Sequence, residues 1–429
     1  MTGLKADAAQ SHVSRGLGPL AGVRILDLSS VLMGPYATLQ LGDMGADVIK
    51  VEPPEGDIVR EIGPSRTPKM GGMFLHVNRS KRSIVIDLKQ ARGRALLLDI
   101  AATCDVVLSN MRPDAMRRLG LDYESFYKVR SDIIYLGLVG YGQDGPYATR
   151  PAYDDLIQGA SGVSALIAEA SGGVPRYVPI NIADRTVGLF AVQAVLAALF
   201  HRERTGEGQE IEVPMFETMT SFVLGDHFGG LSYRPPLDAG GYARLMSRHR
   251  RPYATSDGYI CALIYNDKQW HRFFSLIGRP EAMRDPRFSS HSARNRNIDS
   301  IYEELSHIFR ERTSAEWREL LEKADIPMMP MHSLATIQDD PHLRAVSFFE
   351  EAVHPVEGPV TSMRVPSKWS RSQPRAGRPA PALGENSEEI LAEIGVTPAE
   401  IEALIADKVV GQFVTNGGSP EPERLDAAV

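Results

Sequence analysis

Short apolar runs alternate with longer helical patterns along the first third of the chain. The apolar runs are rich in Val and Ile and nearly continuous, which is typical of strands buried on both faces. They are Val23–Leu28, Asp47–Glu52, Ser83–Leu88, Asp105–Leu108 and Ile133–Leu138. Helical patterns separate several of them, at Tyr36–Met44, Ala91–Thr103 and Tyr123–Arg130. This order predicts an α/β fold with a parallel sheet covered by helices.

The strongest helical pattern lies farther along, from Asp184 to Glu203. It is rich in Ala, Leu and Val and apolar on nearly every side, so we expect a buried helix. The turn sequence Thr205–Gly208 ends it, and Gln209–Pro214 resumes as a strand.

The alternation of strand and helix patterns is interrupted after Gly229 by a stretch rich in residues that break helices and strands, which are Pro235, Pro236, Gly240 and Gly241. New helical patterns follow, which indicates a second domain. We expect a disordered N-terminus at 1–19, a large domain that begins at 20–235, a small α+β domain at 236–344, and a linker with the C-terminal part of the large domain at 345–429. The polar tail from Asn416 onward is also expected to be disordered.

Composition limits the possible functions. The 429 residues are 43% hydrophobic and 24% charged, as in ordinary globular proteins. The net charge of −7 implies no general affinity for nucleic acids or membranes, so local Lys and Arg residues must hold any anionic ligand. The longest apolar stretch, Val187–Phe200, is interrupted by Gln193 and is too short to cross a bilayer, and the N-terminus lacks a signal-peptide core. With only Cys104 and Cys261, we expect a cytoplasmic protein without disulfides.

One acidic residue, Asp184, stands at the start of the long helix. An Asp in that position is a standard N-cap, because its side chain accepts hydrogen bonds from unpaired amides. The same place offers a positive dipole and free N–H groups, which would keep a carboxylate ionised and stabilise an oxyanion beside it. The following residue, Arg185, either orients a carboxylate or forms a surface ion pair.

Basic residues cluster beside two predicted strands. Asn78–Ser83 precedes the third strand, and Asn110–Pro113 follows the fourth, with Arg117 and Arg118 close behind. Each alone is typical of a solvated surface charge. Together at one edge of a parallel sheet they would form a phosphate site, since open α/β sheets bind ligands there and Arg binds phosphate oxygens in pairs.

Several common cofactor signatures are missing. The first strand is followed by Ser29–Pro35, which has one glycine where a dinucleotide site needs G-x-G-x-x-G. We find no Walker A, H-E-x-x-H or Cys-x-x-Cys sequence, so we expect no metal site and no permanently bound cofactor. Two glycine-rich segments, Gly140–Pro146 and Gln158–Gly162, are explained by turns or by close approach of the backbone to a ligand.

Taken in order, these segments resemble the class III CoA-transferase family, which includes formyl-CoA and carnitine CoA-transferases and alpha-methylacyl-CoA racemase. No single segment is rare, and the specificity comes from the ordered set, which runs from about Leu20 to about residue 400. The matching segments are Leu20–Asp27, Gly34–Pro35, Gly45–Glu52, Asn78–Ser83, Asn110–Pro113, Gly140–Pro146, Tyr153–Asp154, Asp184, Arg204–Gln209, Ser256–Tyr259 and Leu383–Glu385.

This resemblance implies a Rossmann-like large domain made of N- and C-terminal parts, linkers to a smaller domain, and an interlocked homodimer. It implies that Asp184 is the catalytic nucleophile and that coenzyme A enters as part of the acyl-CoA substrate. The residues that it associates with CoA binding are Leu32, Met33, Val77, Asn78, Arg79, Arg82, Asn110, Met111, Arg112, Arg118 and Tyr141.

Two departures from the family pattern affect specificity. Pro53 stands where the family often has a basic residue, so one nucleotide contact is expected to be missing. Formyl-CoA transferase has a run of glycines that closes over its site, whereas this chain has only Gly240–Gly241, which argues against formate or oxalate.

The implied reaction moves CoA from an acyl-CoA to a small carboxylic acid through a mixed anhydride and a thioester on Asp184. The nearest alternative is a 2-methylacyl-CoA racemase, which needs two acid/base groups. Racemases of the family have His directly before the Asp of the motif that here is Tyr153–Asp154, and tyrosine shuttles protons poorly at neutral pH. The sequence therefore favours transfer. A CoA-thioester-binding protein without catalysis is the second alternative.

Overall fold

The computed structural model describes residues 18–413. Most of the N-terminal segment expected to be disordered, and the whole tail from Asn416, lie outside the described residues.

Helices and strands alternate through the first part of the chain. In order they are β1 (Arg24–Asp27), α1 (Met33–Asp43), β2 (Asp47–Glu52), α2 (Gly72–Asn78), β3 (Lys81–Ile86), α3 (Ala91–Ala101), β4 (Val106–Ser109), α4 (Pro113–Leu119), α5 (Tyr123–Val129) and β5 (Ile134–Val139).

The middle of the chain is mainly helical. Its elements are α6 (Asp154–Ala160), α7 (Val163–Ser171), α8 (Ile182–Thr205), β6 (Gln209–Pro214), α9 (Met215–His227), α10 (Ala243–Met246), β7 (Tyr253–Ala254), β8 (Tyr259–Ala262), α11 (Asp267–Leu276), α12 (His291–Arg296), α13 (Ile298–Ile308), α14 (Ser314–Lys323), β9 (Met328–Pro330) and α15 (Pro341–Ala345). The last part adds a hairpin, two helices and an edge strand, which are β10 (Phe349–His354), β11 (Gly358–Met363), α16 (Ser387–Glu393), α17 (Pro398–Ala406) and β12 (Val410–Gly411).

A seven-stranded sheet carries the first compact unit, in the order β12-β3-β2-β1-β4-β5-β6. All neighbouring strands run parallel except the antiparallel edge strand β12. The α/β class with a parallel-dominant sheet is therefore confirmed. The third strand begins two residues earlier than expected because Lys81 and Arg82 are buried, each against a carboxylate.

Two compact units divide the chain. Within the described residues, the first comprises 18–153, Ile182–Thr218 and 346–413, and the second comprises Asp154–Asn181 and Met219–Ala345. The expected boundaries, 20–235 and 236–344, differ from this division, because α6, α7 and most of α9 group with the second unit. Contacts such as those of α7 with α10 join segments far apart in sequence, which no local pattern reveals.

Each unit has its own core. In the first, helices α3, α5, α16 and α17 cover the sheet with residues such as Leu97, Phe126 and Leu391, so the C-terminal helices complete a core begun near the N-terminus. In the second, an antiparallel sheet of β7, β8 and β9 accompanies an aromatic cluster that includes Trp270 and Trp317.

The long helix α8 differs from the sequence prediction in two respects. It begins at Ile182, so Asp184 lies inside its first turn and is not the N-cap residue. It is also not buried on every side, since Leu189, Phe190 and Phe200 are 46%, 38% and 63% exposed. At 24 residues it is, by length and composition, apolar enough to cross a membrane, although a core helix passes the same test and one such helix is weak evidence.

Candidate functional site

A cavity of about 550 Å³ opens at the carboxyl ends of strands β1, β2 and β3 in the first unit. Its walls are Leu28–Ser30, Lys50–Ile58 and Ile86–Lys89, together with Met111 and Leu119 from the segment after β4. Open parallel sheets bind ligands outside the carboxyl ends of their strands, where the strand order reverses, as it does here between β1 and β4. The cavity therefore lies where a sheet of this topology binds ligands.

Closed ion pairs form the floor of this cavity. Lys50 Nζ lies 2.8 Å from Asp57 Oδ2 and donates to the Ser29 carbonyl oxygen at 3.0 Å. Arg60 binds Glu52 through two parallel hydrogen bonds, of 2.6 and 2.7 Å. These four charged side chains are almost completely buried, and each is paired with an opposite charge within the protein. The two ion pairs hold the loop after β2 in place.

The pairing sets the protonation of the floor. Burial by itself would lower the pKa of Lys50, but the carboxylates of Asp27 and Asp57 outweigh it and raise that pKa. Burial would likewise raise the pKa of Glu52, but the Arg60 guanidinium lowers it below the ordinary value. Lys50 and Glu52 are thus both charged at neutral pH.

The loop between β1 and α1 connects the cavity with α8. Asn110 clasps this loop, since its Oδ1 accepts from the Ser30 amide at 3.0 Å and its Nδ2 donates to the Ser30 carbonyl oxygen at 2.8 Å. The next residue, Val31, has φ 68°, a conformation that strains a β-branched residue, and its amide donates to Asp57 at 3.1 Å. Such local strain, held by surrounding hydrogen bonds, is typical of functional loops.

Helix α8 packs against α1, which directly follows this loop. A β-carbon on Gly188 would lie 2.9 Å from the Met33 carbonyl oxygen and 3.1 Å from Tyr36 Cδ1, so only glycine permits the contact between α8 and α1. Asp184 lies one turn before Gly188 and is half-buried. The loop therefore leads from the cavity, at Ser30, to the helix that carries Asp184.

The residues predicted to bind CoA do not all meet at one edge of the sheet. Leu32 and Met33 lie at the end of the β1–α1 loop and the start of α1, and Asn110 and Met111 lie on the loop after β4. Arg112 and Arg118 are exposed, just before and on α4, near Leu119, which lines the cavity. The remaining residues lie elsewhere.

Arg82 and Arg79 are occupied by ion pairs away from the cavity. Arg82 lies at the amino end of β3, where its guanidinium binds Asp47 and Glu393. Arg79 pairs with Asp43 at 2.8 Å, at the end of α1. Residues before β3 and residues after β4 lie at opposite ends of parallel strands, so the two basic clusters do not converge on one edge of the sheet.

Val77 and Asn78 are completely buried. Val77 packs with Leu32 in a small cluster of apolar side chains. Asn78 donates to the Phe74 carbonyl oxygen and accepts from Lys81 Nζ at 2.8 Å. Both side chains are therefore packed in the interior beside α1, Val77 against Leu32 and Asn78 through Lys81, which also donates to the Pro35 carbonyl oxygen.

The glycine turn after β5 is held by two carboxylates. The Gly142 amide donates to Glu217 Oε1 at 2.9 Å, and the Gln143 amide donates to Glu212 Oε1 at 3.0 Å. These two amides are consequently engaged and do not serve as oxyanion donors in this arrangement. Tyr141 precedes them and contacts neighbouring aromatic rings.

Sequence reasoning missed the loop Pro53–Ile58 as a cavity wall. It noticed Pro53 only as a lost basic contact, yet Pro53, Pro54 and Gly56 all line the cavity. The available signal was their place directly after a buried strand, which in a parallel sheet is the ligand edge. Within residues 18–413, no group of three His, Cys, Asp or Glu side chains is arranged to hold a metal ion.

A parallel-dominant sheet with an open cavity at the carboxyl ends of its strands defines the class, an α/β protein with a cavity where such sheets bind ligands. The chain belongs to the CoA-transferase family III, whose family model matches residues 20–387.

Named relatives agree with this assignment. The chain is 34% identical over 392 residues to a succinate–glutarate CoA-transferase of Agrobacterium fabrum, covering 88% of this chain and 96% of that protein. It is 33% identical over 336 residues to an acetyl-CoA:oxalate CoA-transferase of Acetobacter aceti, covering 76% and 84%. The crystal structure of Rv3272 from M. tuberculosis superposes with a TM-score of 0.74 at 30% identity, covering 87% and 99%. The protein is a family III CoA-transferase.

Proposed function

We propose that CoA transfer proceeds through covalent intermediates on Asp184. Its carboxylate attacks the thioester carbonyl of the donor acyl-CoA, the C–S bond breaks, and CoA leaves as a thiolate while a mixed anhydride forms. The thiolate then attacks the Asp184 carbonyl and displaces the donor acid as its carboxylate, which leaves an aspartyl-CoA thioester. The acceptor carboxylate repeats these steps in reverse, so no net proton is needed.

The position of Asp184 in the first turn of α8 is the observation that carries this proposal. The first amides of a helix have no intrahelical partner, and the helix dipole is positive there. Both features favour an ionised carboxylate before attack and stabilise the oxyanion of each tetrahedral intermediate. We do not assign oxyanion stabilisation to the glycine turn after β5, because the amides of Gly142 and Gln143 already donate to carboxylates.

An exchange assay tests the role of Asp184. Purified protein, an acyl-CoA and a second acid are incubated, and the new acyl-CoA is detected by mass spectrometry. The Asp184→Asn variant is expected to lose exchange completely, whereas Asp99→Asn, which removes an exposed carboxylate from α3, is expected to retain it. Exchange by Asp184→Asn at the wild-type rate would overturn the proposal.

We further propose that the adenine end of CoA occupies the 550 Å³ cavity and that the pantetheine arm follows the loop from Ser30 to Met33 toward Asp184. Arg112 and Arg118 are exposed near the rim, where they are available for phosphates. Pro53 and Pro54 offer apolar contacts in place of the basic residue common in the family. Arg79 and Arg82 are not part of this site, since both are held in ion pairs.

Small carboxylic acids are the proposed donors and acceptors. The names of relatives point to succinate, glutarate and oxalate as the first acids to test. Oxalate stays in the panel despite the short Gly240–Gly241 sequence.

A cytoplasmic location is supported by the two free cysteines, of which Cys104 is buried with its thiol pKa raised to about 12.

An interlocked homodimer is the proposed assembly. Leu189, Gln193, Ala197 and Phe200 form one exposed stripe along α8, with Phe190 beside it. A second copy would remove this largely apolar surface from water. Light scattering is expected to give twice the chain mass of 47.1 kDa, and Phe200→Asp to shift the protein toward the monomer. A wild-type monomer at every concentration would contradict this assembly.

A further inference from the structure

Arg185 is a half-buried guanidinium without a carboxylate partner in the described part of the chain. Its guanidinium carbon lies 4.5 Å from the centroid of the Tyr36 ring, and it forms no ion pair within residues 18–413. Three other buried or half-buried arginines of the same unit do have such a partner, since Arg60, Arg79 and Arg82 each bind an Asp or Glu. The surface ion pair considered from the sequence is therefore absent from this region.

Arg185 lies at the same end of α8 as Asp184. Gly188, three residues after Arg185 and four after Asp184, is the point at which α8 meets the first turn of α1. Both residues therefore belong to the turn of α8 that precedes this contact. Tyr36, which lies under the guanidinium, belongs to the same first turn of α1.

The charge of Arg185 is not neutralised locally. It acts on His76 of α2, whose pKa is lowered by burial and then by Arg79 and Arg185. Arg79 has Asp43 as its counterion, whereas Arg185 has none in the described residues. The guanidinium packs on the Tyr36 ring, and a guanidinium can bind a planar carboxylate through two parallel hydrogen bonds.

We propose that Arg185 binds the second carboxylate of a short aliphatic dicarboxylic acid while the first carboxylate exchanges CoA at Asp184. The inference rests on the proposed function, and it narrows the substrates to acids long enough to join these two neighbouring positions. A monocarboxylic acid has no group for Arg185, so its transfer does not depend on this residue. Arg185 is thus a specificity-determining residue.

The test compares two acceptors with the same five-carbon acid chain, and uses acetyl-CoA as the donor because its acyl group carries no second carboxylate. The acceptors are glutarate and monomethyl glutarate, in which one carboxylate is masked. Arg185→Gln is expected to raise the KM for glutarate about 10- to 100-fold, the loss of a charge-assisted bidentate contact. Its kcat/KM for the monomethyl ester is expected to stay within about twofold of wild type.

Two further variants sharpen the result. Arg204→Gln removes the same charge from the far end of α8, where Arg204 lies over Phe200, and is expected to change neither acceptor. Arg185→Lys keeps the charge but loses the planar guanidinium, so its KM for glutarate is expected to lie between those of wild type and Arg185→Gln. If Arg185→Gln does not fold, Arg185→Lys replaces it in the comparison of the two acceptors.

Either an unchanged KM for glutarate or an equal loss with both acceptors in Arg185→Gln would overturn the proposal. Failure of the proposed function gives a different result, because Asp184 would then not be labelled by acetyl-CoA even in the wild type. In Arg185→Gln we expect normal labelling of Asp184 from acetyl-CoA and slower labelling from succinyl-CoA, whose acyl group carries the second carboxylate.

Discussion

Gly188 of α8 faces the carbonyl oxygen of Met33 so closely that a β-carbon would lie 2.9 Å from it. The contact fixes the start of α8, with Asp184 and Arg185, against the loop that leads to the cavity. Helix, loop and cavity wall are therefore one mechanically connected set of elements in the first unit.

Substituting Gly188 tests this connection. Alanine is the better helix former, by about 1 kcal/mol, but its methyl group would force α8 away from α1 at a cost of about 1–3 kcal/mol. We expect Gly188→Ala to lower the melting temperature and to reduce kcat about 10- to 100-fold through displacement of Asp184. Gly225→Ala, also in a helix but with open space around it, is expected to be neutral or stabilising. A stable, fully active Gly188→Ala protein would contradict the connection.

The two hydrogen bonds between Asn110 and Ser30 lead to a prediction about CoA binding. Asn110→Ala removes two hydrogen bonds that hold the loop beside the cavity, worth about 1–2 kcal/mol together. We expect the KM for acyl-CoA to rise about 5- to 20-fold with little change in kcat. Asn386→Ala removes a similar brace, to the Ser83 amide, away from the cavity, and its KM should match wild type. Equal KM changes in both variants would show that the effect is only structural.

The ion pair between Glu52 and Arg60 makes a prediction about acid stability. Because the pKa of Glu52 is lowered in the folded protein, its stabilising contribution is fully present above the pKa of an unfolded glutamate, about 4.3, and is lost as the pH falls through the lower folded value. Glu52→Gln leaves Arg60 without a counterion, so we expect a loss of about 3–5 kcal/mol at pH 7 and a weaker pH dependence below pH 5.

Urea unfolding at pH 7 and pH 4 measures this effect. Glu319→Gln, which breaks an exposed pair with Lys323, is the control and should unfold like wild type at both pH values. If Glu52→Gln retains the full acid sensitivity of the wild type, the Glu52 carboxylate is not one of its sources.

The glycine turn after β5 makes a prediction about geometry. Gln at position 217 still offers an oxygen to the Gly142 amide, whereas Leu leaves that amide unpaired. We expect Glu217→Leu to lower kcat/KM about fivefold, the worth of about 1 kcal/mol, and Glu217→Gln to resemble wild type. Equal losses in steady-state assays of the two variants would show that the charge of Glu217, and not its hydrogen bond, is what matters.

The elements of the sheet were predictable because their signals are local. Buried parallel strands are continuous runs of Val and Ile, and the segment Gln209–Pro214 was bounded correctly by its flanking turn and proline. The identity of Asp184 as the acid near the start of α8 also followed from local position, although the helix begins two residues earlier than Asp184.

The failures came from long-range effects. Lys81 and Arg82 looked like loop residues because they are charged, yet Asp27, Asp47 and Glu393 allow them to be buried in β3. Arg79 and Arg82 lie at the amino end of β3, whereas Asn110–Pro113 follows the carboxyl end of β4, so the two basic clusters lie at opposite edges of the sheet. The cavity combines segments that follow four strands, and the exposed stripe of α8 depends on what packs around that helix. No pattern within one segment encodes these contacts.

Direct detection of the intermediate tests the central claim. Protein incubated with acetyl-CoA is treated with hydroxylamine, which converts an aspartyl anhydride or thioester into a hydroxamate, and peptides are mapped by mass spectrometry. We predict a hydroxamate on Asp184 in the wild type and none in Asp184→Asn. A label on a different residue, or an unlabelled Asp184 in protein that is actively transferring CoA, would contradict the account.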